Sequence, residues 1–298
     1  MNPDPHAGSA DDQGRVEFEL GSPLASGRTA ELYPWDEGRV LKLYRIGEPR
    51  VAAVRELAIN RYVTEAGIAA PKVFDGDGAD GLVEINNRVG ILFERVDGPS
   101  MLNDLVAHPW RLMRHARRLA ELHARMHDHE VIGSRLDDQK GRLARGISAA
   151  AEIVPEIDVA RILCQVEDLP SGDRVCHGDV HPDNLVLVGG GRRARAVVLD
   201  WENATQGDPA GDVSRTMLIL RLASGTPESS RWERLLASLF GRWFAYAYVA
   251  AYLKRNRCGV THAAMDGWLP VQAAARLAEQ IPGERAALLK LVRDFEVR

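Results

Sequence analysis

His177-Gly178-Asp179-Val180-His181-Pro182-Asp183-Asn184 is the densest polar stretch of this 298-residue chain, and it stands directly before two short apolar runs, residues 185–188 and 196–199. Gly189-Gly190-Gly191 joins the runs, which reads as a β-hairpin. Asp200 follows the second run, 21 residues past Asp179, in Val-Val-Leu-Asp-Trp-Glu. A hairpin returns the chain toward its start, so Asn184 and Asp200 are expected to come close in space. Both are oxygen donors suited to a hard cation such as Mg²⁺, and Asp179 would lie beside them as a free carboxylate.

Toward the N-terminus the period is two. Val16, Phe18 and Leu20 alternate with Glu17 and Glu19, and further strands are expected at residues 31–35 and 39–44, around the turn Asp36-Glu37-Gly38. In residues 39–44, Val40, Lys42 and Tyr44 share one face, and Leu41 and Leu43 the other. Pro49 opens a helix to about Glu65 that carries Val54, Leu57, Ala58 and Tyr62, and Gly67 stops it. Two more strands, 82–85 and 89–96, flank Asn86-Asn87. After Gly98 the texture is helical: Leu112, Ala116, Leu119, His123 and Met126 form one apolar stripe. Helices are also expected at 141–154, 159–166 and 231–254, and from Leu269 to the end. The fold class is therefore α+β and two-lobed, with a small antiparallel sheet plus one helix (14–97), then a larger, mainly helical lobe with an embedded hairpin (98–298). Residues 1–13 are expected to be a disordered tail.

Composition narrows the function. With 45% hydrophobic and 27% charged residues, global disorder and collagen-like repeats are excluded. Residues 1–98 hold 17 acids and 11 bases (net −6) and the remainder 25 acids and 27 bases (net +2), too weakly basic for nucleic acid as the main partner. The longest apolar run, residues 244–253, is about half a membrane span, so no membrane partner is expected. Residues 1–13 lack the apolar segment of a signal peptide, and the three scattered cysteines build no disulfide framework, which fits a cytoplasmic location.

Phosphoryl transfer needs what the polar stretch offers. Charge on the transferring group must be neutralised by metal ions, the acceptor hydroxyl must be oriented, and a cation must hold the donor's phosphates. Lys42, one of only five lysines among 38 basic residues, lies in an apolar strand and supplies that cation. Glu56, fourteen residues on in the first helix, is placed to pair with it.

These motifs resemble the aminoglycoside phosphotransferase and choline kinase family of small-molecule kinases, relatives of protein kinases in fold. His177-Gly178-Asp179-x-His181-x-x-Asn184 is similar to that family's catalytic loop. The resemblance implies Asp179 as catalytic base, Asn184 and Asp200 as Mg²⁺ ligands, and Lys42 with Glu56 over the phosphates of ATP or GTP bound between the lobes. It implies a hinge at residues 93–98, where the backbone of Glu94 and Val96 would meet the adenine edge. Asp212, in Gly207-Asp208-Pro209-Ala210-Gly211-Asp212, and with it Asp208, would brace the catalytic loop. The loop of residues 22–29 is not G-x-G-x-x-G; Ser26, Gly27 and Arg28 are the implied phosphate contacts.

Plainer readings compete. HGDVHPDN lacks the HxHxDH spacing of a zinc hydrolase. His177 is expected to bond backbone and position Asp179, and His181 to shape the loop. His123 and His127, four apart on a helix, read as core histidines rather than a metal pair. Trp232, Trp243, Phe244, Tyr246, Tyr248 and Tyr252 read as helix core rather than a cation–π cage, and Arg114, Arg117, Arg118, Arg192 and Arg193 as solvated. Asp200-Trp201-Glu202 in place of DFG argues against a protein kinase, and a nucleotide-binding pseudokinase is the other alternative. The expected function is transfer of a γ-phosphoryl group to a hydroxyl of a small molecule. The net +2 weighs against a polycationic aminoglycoside; an amino alcohol, a sugar, a macrolide or another metabolite remains open.

Overall fold

The computed structural model describes residues 9–10, 16–17, 20–133, 135–189, 195–223 and 231–296. Two compact units emerge: the described residues of Met1–Gly98 with Val186–Glu202, and those of Pro99–Leu185 with Asn203–Arg298. The segment Val186–Glu202, inserted in sequence among the helices of the second unit, thus packs with the first.

In the first unit Ser9–Ala10 (β1) pairs with Val16–Glu17 (β2), inside and just beyond the stretch read as a tail. Phe18 and Glu19 of the expected first strand lie outside the described residues. The main sheet is built from Ala25–Ser26 (β3), Ala30–Pro34 (β4), Arg39–Tyr44 (β5), Val73–Phe74 (β6), Val83–Ile85 (β7) and Arg88–Glu94 (β8), in order β3-β4-β5-β8-β6 with β7 also on β8. Its pairs are antiparallel, and Lys42 sits in the centre between Leu32 and Ile91. Helix α1 (Arg50–Glu65) opens at Pro49, whose fixed φ suits a helix entry, and packs against β8. The alternation along β5 segregates two cores. Val40 and Tyr44 join Ala53, Leu57 and Ile91 on the helix side, while Leu41 and Leu43 join Tyr33, Ile85 and Leu92 on the other.

The second unit contains α2 (Met101–Ala107), α3 (Leu112–His127), α4 (Gln139–Ile153) and α5 (Val159–Asp168), followed after the hairpin by α6 (Pro209–Leu222), α7 (Arg231–Leu253), α8 (His262–Arg276) and α9 (Arg285–Glu296). Ser100, Asp138, Asp158, Asp208 and Thr261 each accept a backbone N–H at a helix start. Helix α3 packs on α7, and α6 on α7 and α8. The single helix expected from Leu269 to the end is two: a 3₁₀ turn at Leu277–Glu279, a left-handed Gln280 and Pro282-Gly283 separate α8 from α9. A small sheet orders Asp137–Asp138 (β9), Arg174–Cys176 (β10) and Thr205–Gly207 (β13) as β10-β13-β9. Leu185–Val188 (β11) pairs with Arg195–Val198 (β12) as the hairpin; Arg192 and Arg193 at its turn lie outside the described residues. Among the described residues no helix is long and apolar enough to cross a membrane.

Candidate active site

In the first unit Lys42 leaves β5 on the face that meets α1. Its Nζ donates to both carboxylate oxygens of Glu56, at 2.8 and 2.9 Å, and to Asp200 Oδ1 at 3.2 Å, and stands 4.0 Å from Glu202 Oε2. Burial disfavours the ammonium charge, but Glu56, Asp200 and Glu202 outweigh it and hold the Lys42 pKa above the usual lysine value. Tyr44, two residues on and on the same face, donates its hydroxyl to Glu56 Oε2. Burial, reinforced by Glu56, pushes the Tyr44 phenol well up, so it stays a donor. Asp200 adopts φ 59°, unusual for a residue with a side chain and a form of strain that clusters at functional sites. Trp201 is fully buried and its Nε1 donates to Val198 O at 3.0 Å, which pins the turn.

Oxygens of Glu56, Asp200 and Glu202 all lie within 4.8 Å of one another. Three carboxylates beside one lysine leave an excess of two negative charges, and the donors are hard oxygens. Both Glu56 oxygens already accept from Lys42, so Glu56 serves the lysine, and Asp200 is the hard oxygen donor of the set suited to a divalent cation of the Mg²⁺ type.

In the second unit β10 runs directly into the loop that begins at His177. The N–H groups of His177 and Gly178 donate to Asp212 Oδ2 and Oδ1, at 2.6 and 2.8 Å. Gly178 has φ +79°, and a Cβ there would stand 2.8 Å from the Asn203 carbonyl oxygen, so glycine is required. His177 is fully buried, and its Nδ1 accepts the Asp179 N–H at 3.2 Å. Asn184 Nδ2 donates to Asp179 O and Oδ2, at 3.0 and 3.2 Å, while Asn184 Oδ1 stays available to a cation. His181 Nε2 is 3.4 Å from Asp179 Oδ2. Burial alone would raise the Asp179 pKa. The hydrogen bond and charge of His181, with the charges of Arg215 and His177, outweigh it and hold the carboxyl well below the usual range. Asp179 is thus ionised at neutral pH.

Beneath the loop Asp212 is buried and receives two more bonds, from His123 Nε2 at 2.9 Å and His127 Nε2 at 3.3 Å. The opposite ring nitrogens, both Nδ1, meet the hydroxyls of Tyr248 and Tyr252, each at 2.6 Å. The two histidines are therefore hydrogen-bonded core residues. Asp208 plays a different part from the loop: it caps α6 through Ala210 N at 2.6 Å.

Glu94 ends β8; its N–H donates to Lys72 O at 2.8 Å, so its carbonyl is the group left for a ligand edge. The Val96 N–H meets no partner among the described residues. Ser26 belongs to β3 rather than to a loop; its Oγ accepts from Arg45 at 2.7 Å. The Gly27 carbonyl also binds Arg45, and its N–H binds Ala30 O at 2.8 Å. Arg28 is exposed. The aromatic stripe of α7 divides: Phe244, Tyr248 and Tyr252 are core, whereas Trp232, Trp243 and Tyr246 are exposed. Sequence reasoning passed over Glu202, Tyr44 and Arg215 as site residues. For the first two the signal was present, a second acid two places after Asp200 and a phenol two places after Lys42. Arg215 carried none.

Residues 21–268 match the model of the phosphotransferase enzyme family. The chain belongs to that family. No curated protein matches this phosphotransferase by sequence. Its fold is similar to that of an aminoglycoside-3'-phosphotransferase of type VIII (TM-score 0.57, 19% identity, covering 89% of this chain and 93% of that one). It is also similar to the amicoumacin kinase hAmiN in complex with AMP-PNP, Ca²⁺ and Ami (0.57, 15%, 92% and 87%). A third is choline kinase from Cryptosporidium parvum Iowa II (0.55, 14%, 93% and 88%). The protein is a phosphotransferase by family, and its fold is the kinase-like one of these structures.

Proposed function

We propose that this phosphotransferase moves the γ-phosphoryl group of ATP, with GTP as the alternative donor, to a hydroxyl of a small molecule. The observation that carries the reading is the Lys42 clamp, a part-buried ammonium fixed by Glu56 and in contact with Asp200. A cation so fixed is suited to hold phosphate oxygens in place. The carbonyl of Glu94 and the N–H of Val96 take the adenine edge, and Ser26, Gly27 and Arg28 are the phosphate-loop contacts, with Arg28 the cation among them. Asn184 Oδ1 and Asp200 would hold Mg²⁺, which when bound neutralises charge on the phosphate oxygens. The AMP-PNP and Ca²⁺ of the amicoumacin kinase complex support a nucleoside triphosphate and a divalent ion, and the GDP complex of an aminoglycoside 2'-phosphotransferase keeps GTP in play.

Asp179 orients the acceptor hydroxyl. As the hydroxyl oxygen bonds to the γ-phosphorus, the bond from that phosphorus to the β–γ bridging oxygen breaks. The nucleoside diphosphate leaves with that electron pair, and the hydroxyl proton passes to the Asp179 carboxylate. An aspartate with a depressed pKa is a weak base, which suits a loose transition state in which little proton transfer precedes bond cleavage. His177 and Asp212 set the position of Asp179 rather than react.

The test is nucleotide turnover with Mg²⁺ across hydroxyl-bearing metabolites and antibiotics, with the Asp179→Asn variant as blank. Phosphate appearing on a small molecule with wild type alone supports the reading. Turnover equal in the variant, or phosphate appearing on protein, overturns it.

A further inference from the structure

Helices α6 and α7 cross closely where Gly241 faces the Leu220 carbonyl oxygen; a Cβ on Gly241 would stand 2.5 Å from it. That approach sets the next residue on each helix, Arg221 and Arg242, near enough to repel. Desolvation comes first among the causes that hold the Arg221 guanidinium below arginine's ordinary pKa. Asp266 opposes it through charge without forming an ion pair, and Arg242 adds to it.

Both arginines line a cavity of about 600 Å³ within the second unit, a volume that suits a small ligand. Ser238, Arg242 and Tyr246, each four residues from the next, share the face of α7 that forms one wall, and Lys290 comes from α9. The lining holds three cations and no carboxylate. All three are exposed, and among the described residues none of their side chains makes a hydrogen bond or an ion pair. Other arginines of the chain sit against acids: Arg50 on Asp80, Arg88 on Glu31, Arg276 on Glu284. Like charges held together by helix packing cost free energy that a bound anion would recover.

The chemistry of the lining narrows that anion. Two guanidinium forks match phosphate oxygens, and an ammonium adds a point charge. Three cations without a counter-charge suit a dianion better than a single carboxylate. Tyr246, 74% exposed, with Leu222 and Leu291, offers an aromatic and apolar surface beside them. We propose that the cavity between α6, α7 and α9 binds a phosphomonoester with an apolar or aromatic body, its phosphate on Arg221, Arg242 and Lys290 and its body against Tyr246. The site stands independently of the roles given to Lys42 and Asp179.

Calorimetric titration of the full chain at about pH 8, where a phosphomonoester is a dianion, tests it with phenyl phosphate, inorganic phosphate, benzoate and phenyltrimethylammonium. Each titration is run with and without saturating Mg²⁺-AMP-PNP, so that binding at a nucleotide site is told apart. Phenyl phosphate is expected to bind about 10-fold or more tighter than each of the other three, with AMP-PNP making no difference. In Arg221→Gln/Arg242→Gln its affinity should fall by about 10-fold or more, while the Tm without ligand is no lower than that of wild type because the repulsion is gone. Added phenyl phosphate should raise the Tm of wild type and leave that of the variant nearly unchanged. Benzoate, inorganic phosphate or the cation binding wild type as tightly as phenyl phosphate overturns the proposal, as does failure of phenyl phosphate to bind. Equal phenyl phosphate affinity in the folded variant, or its displacement by AMP-PNP, also overturns it.

Discussion

Replacing Asp212 by asparagine keeps the shape of the buried carboxylate but removes its charge and one acceptor. Oδ2 takes the His177 N–H, His123 Nε2 and His127 Nε2, while Oδ1 takes the Gly178 N–H at 2.8 Å. The best amide orientation keeps its oxygen at the first position and turns its NH₂ against the Gly178 N–H. Three charge-assisted bonds become neutral ones, a loss of about 1 kcal/mol each, and a buried N–H left unpaired costs about 1–3 kcal/mol more. Relief of carboxylate desolvation offsets part of this, so a net loss of about 3–5 kcal/mol is expected. At about 2.1 cal/mol/K per residue over 298 residues, that is a fall in Tm of about 5–8 °C. A loop displaced by even about 1 Å costs on the order of 10²-fold in rate, so kcat should fall about that much with little change in nucleotide KM. Thermal scanning and steady-state kinetics read both. Tm within about 1 °C of wild type and kcat within about twofold, against those expected losses, would refute the role of Asp212 as the brace. Tyr248→Phe, which removes only the hydroxyl at His123 Nδ1, is the milder companion and should cost about 1–3 kcal/mol.

Three further outcomes follow from the same geometry. Lys42→Met leaves Glu56, Asp200 and Glu202 without their cation, and should weaken ATP binding and lower kcat/KM by about 10²-fold or more, measured by initial rates against ATP. Gly178→Ala forces a Cβ to within 2.8 Å of Asn203 O at a positive φ, and should lower both kcat and Tm, read by the same two assays. Burial, with the neighbouring His123, lowers the His127 pKa to about 4 despite its bond to Asp212. Between about pH 6.5 and 4 the unfolded chain therefore binds a proton there that the folded one does not, so stability falls as pH falls through that window. Denaturant midpoints across it should be flatter with pH in His127→Gln, and an unchanged slope would count against the buried neutral histidine.

The parts legible in the sequence were those where local chemistry and periodicity agree. The alternation Val40-Leu41-Lys42-Leu43-Tyr44 placed the lysine on the helix side of a strand whose bounds the structure reproduces. The helix from Pro49 to Glu65 and the stripe from Leu112 to Met126 followed from 3.6-residue spacing. Helix α6 was obscured because Asp208-Pro209-Ala210-Gly211 reads as loop, although Asp as N-cap followed by Pro is itself a start signal. Strands of two or three residues such as β3, β9 and β13 carry no period to detect; partners distant in sequence decide them. The same holds for the site. Glu56 was legible from its register against Lys42. Tyr248 and Tyr252, 125 residues from the histidines they bind, were visible only as apolar spacing.

The most direct test of the account is single-turnover phosphoryl transfer by Asp179→Asn and wild type, at saturating Mg²⁺-ATP, on an acceptor that wild type phosphorylates. Orientation and proton acceptance by Asp179 predict a rate about 10²–10⁴-fold lower in the variant, with the Kd for ATP little changed. A variant that transfers at close to the wild-type rate would contradict the assignment of this loop as the catalytic one.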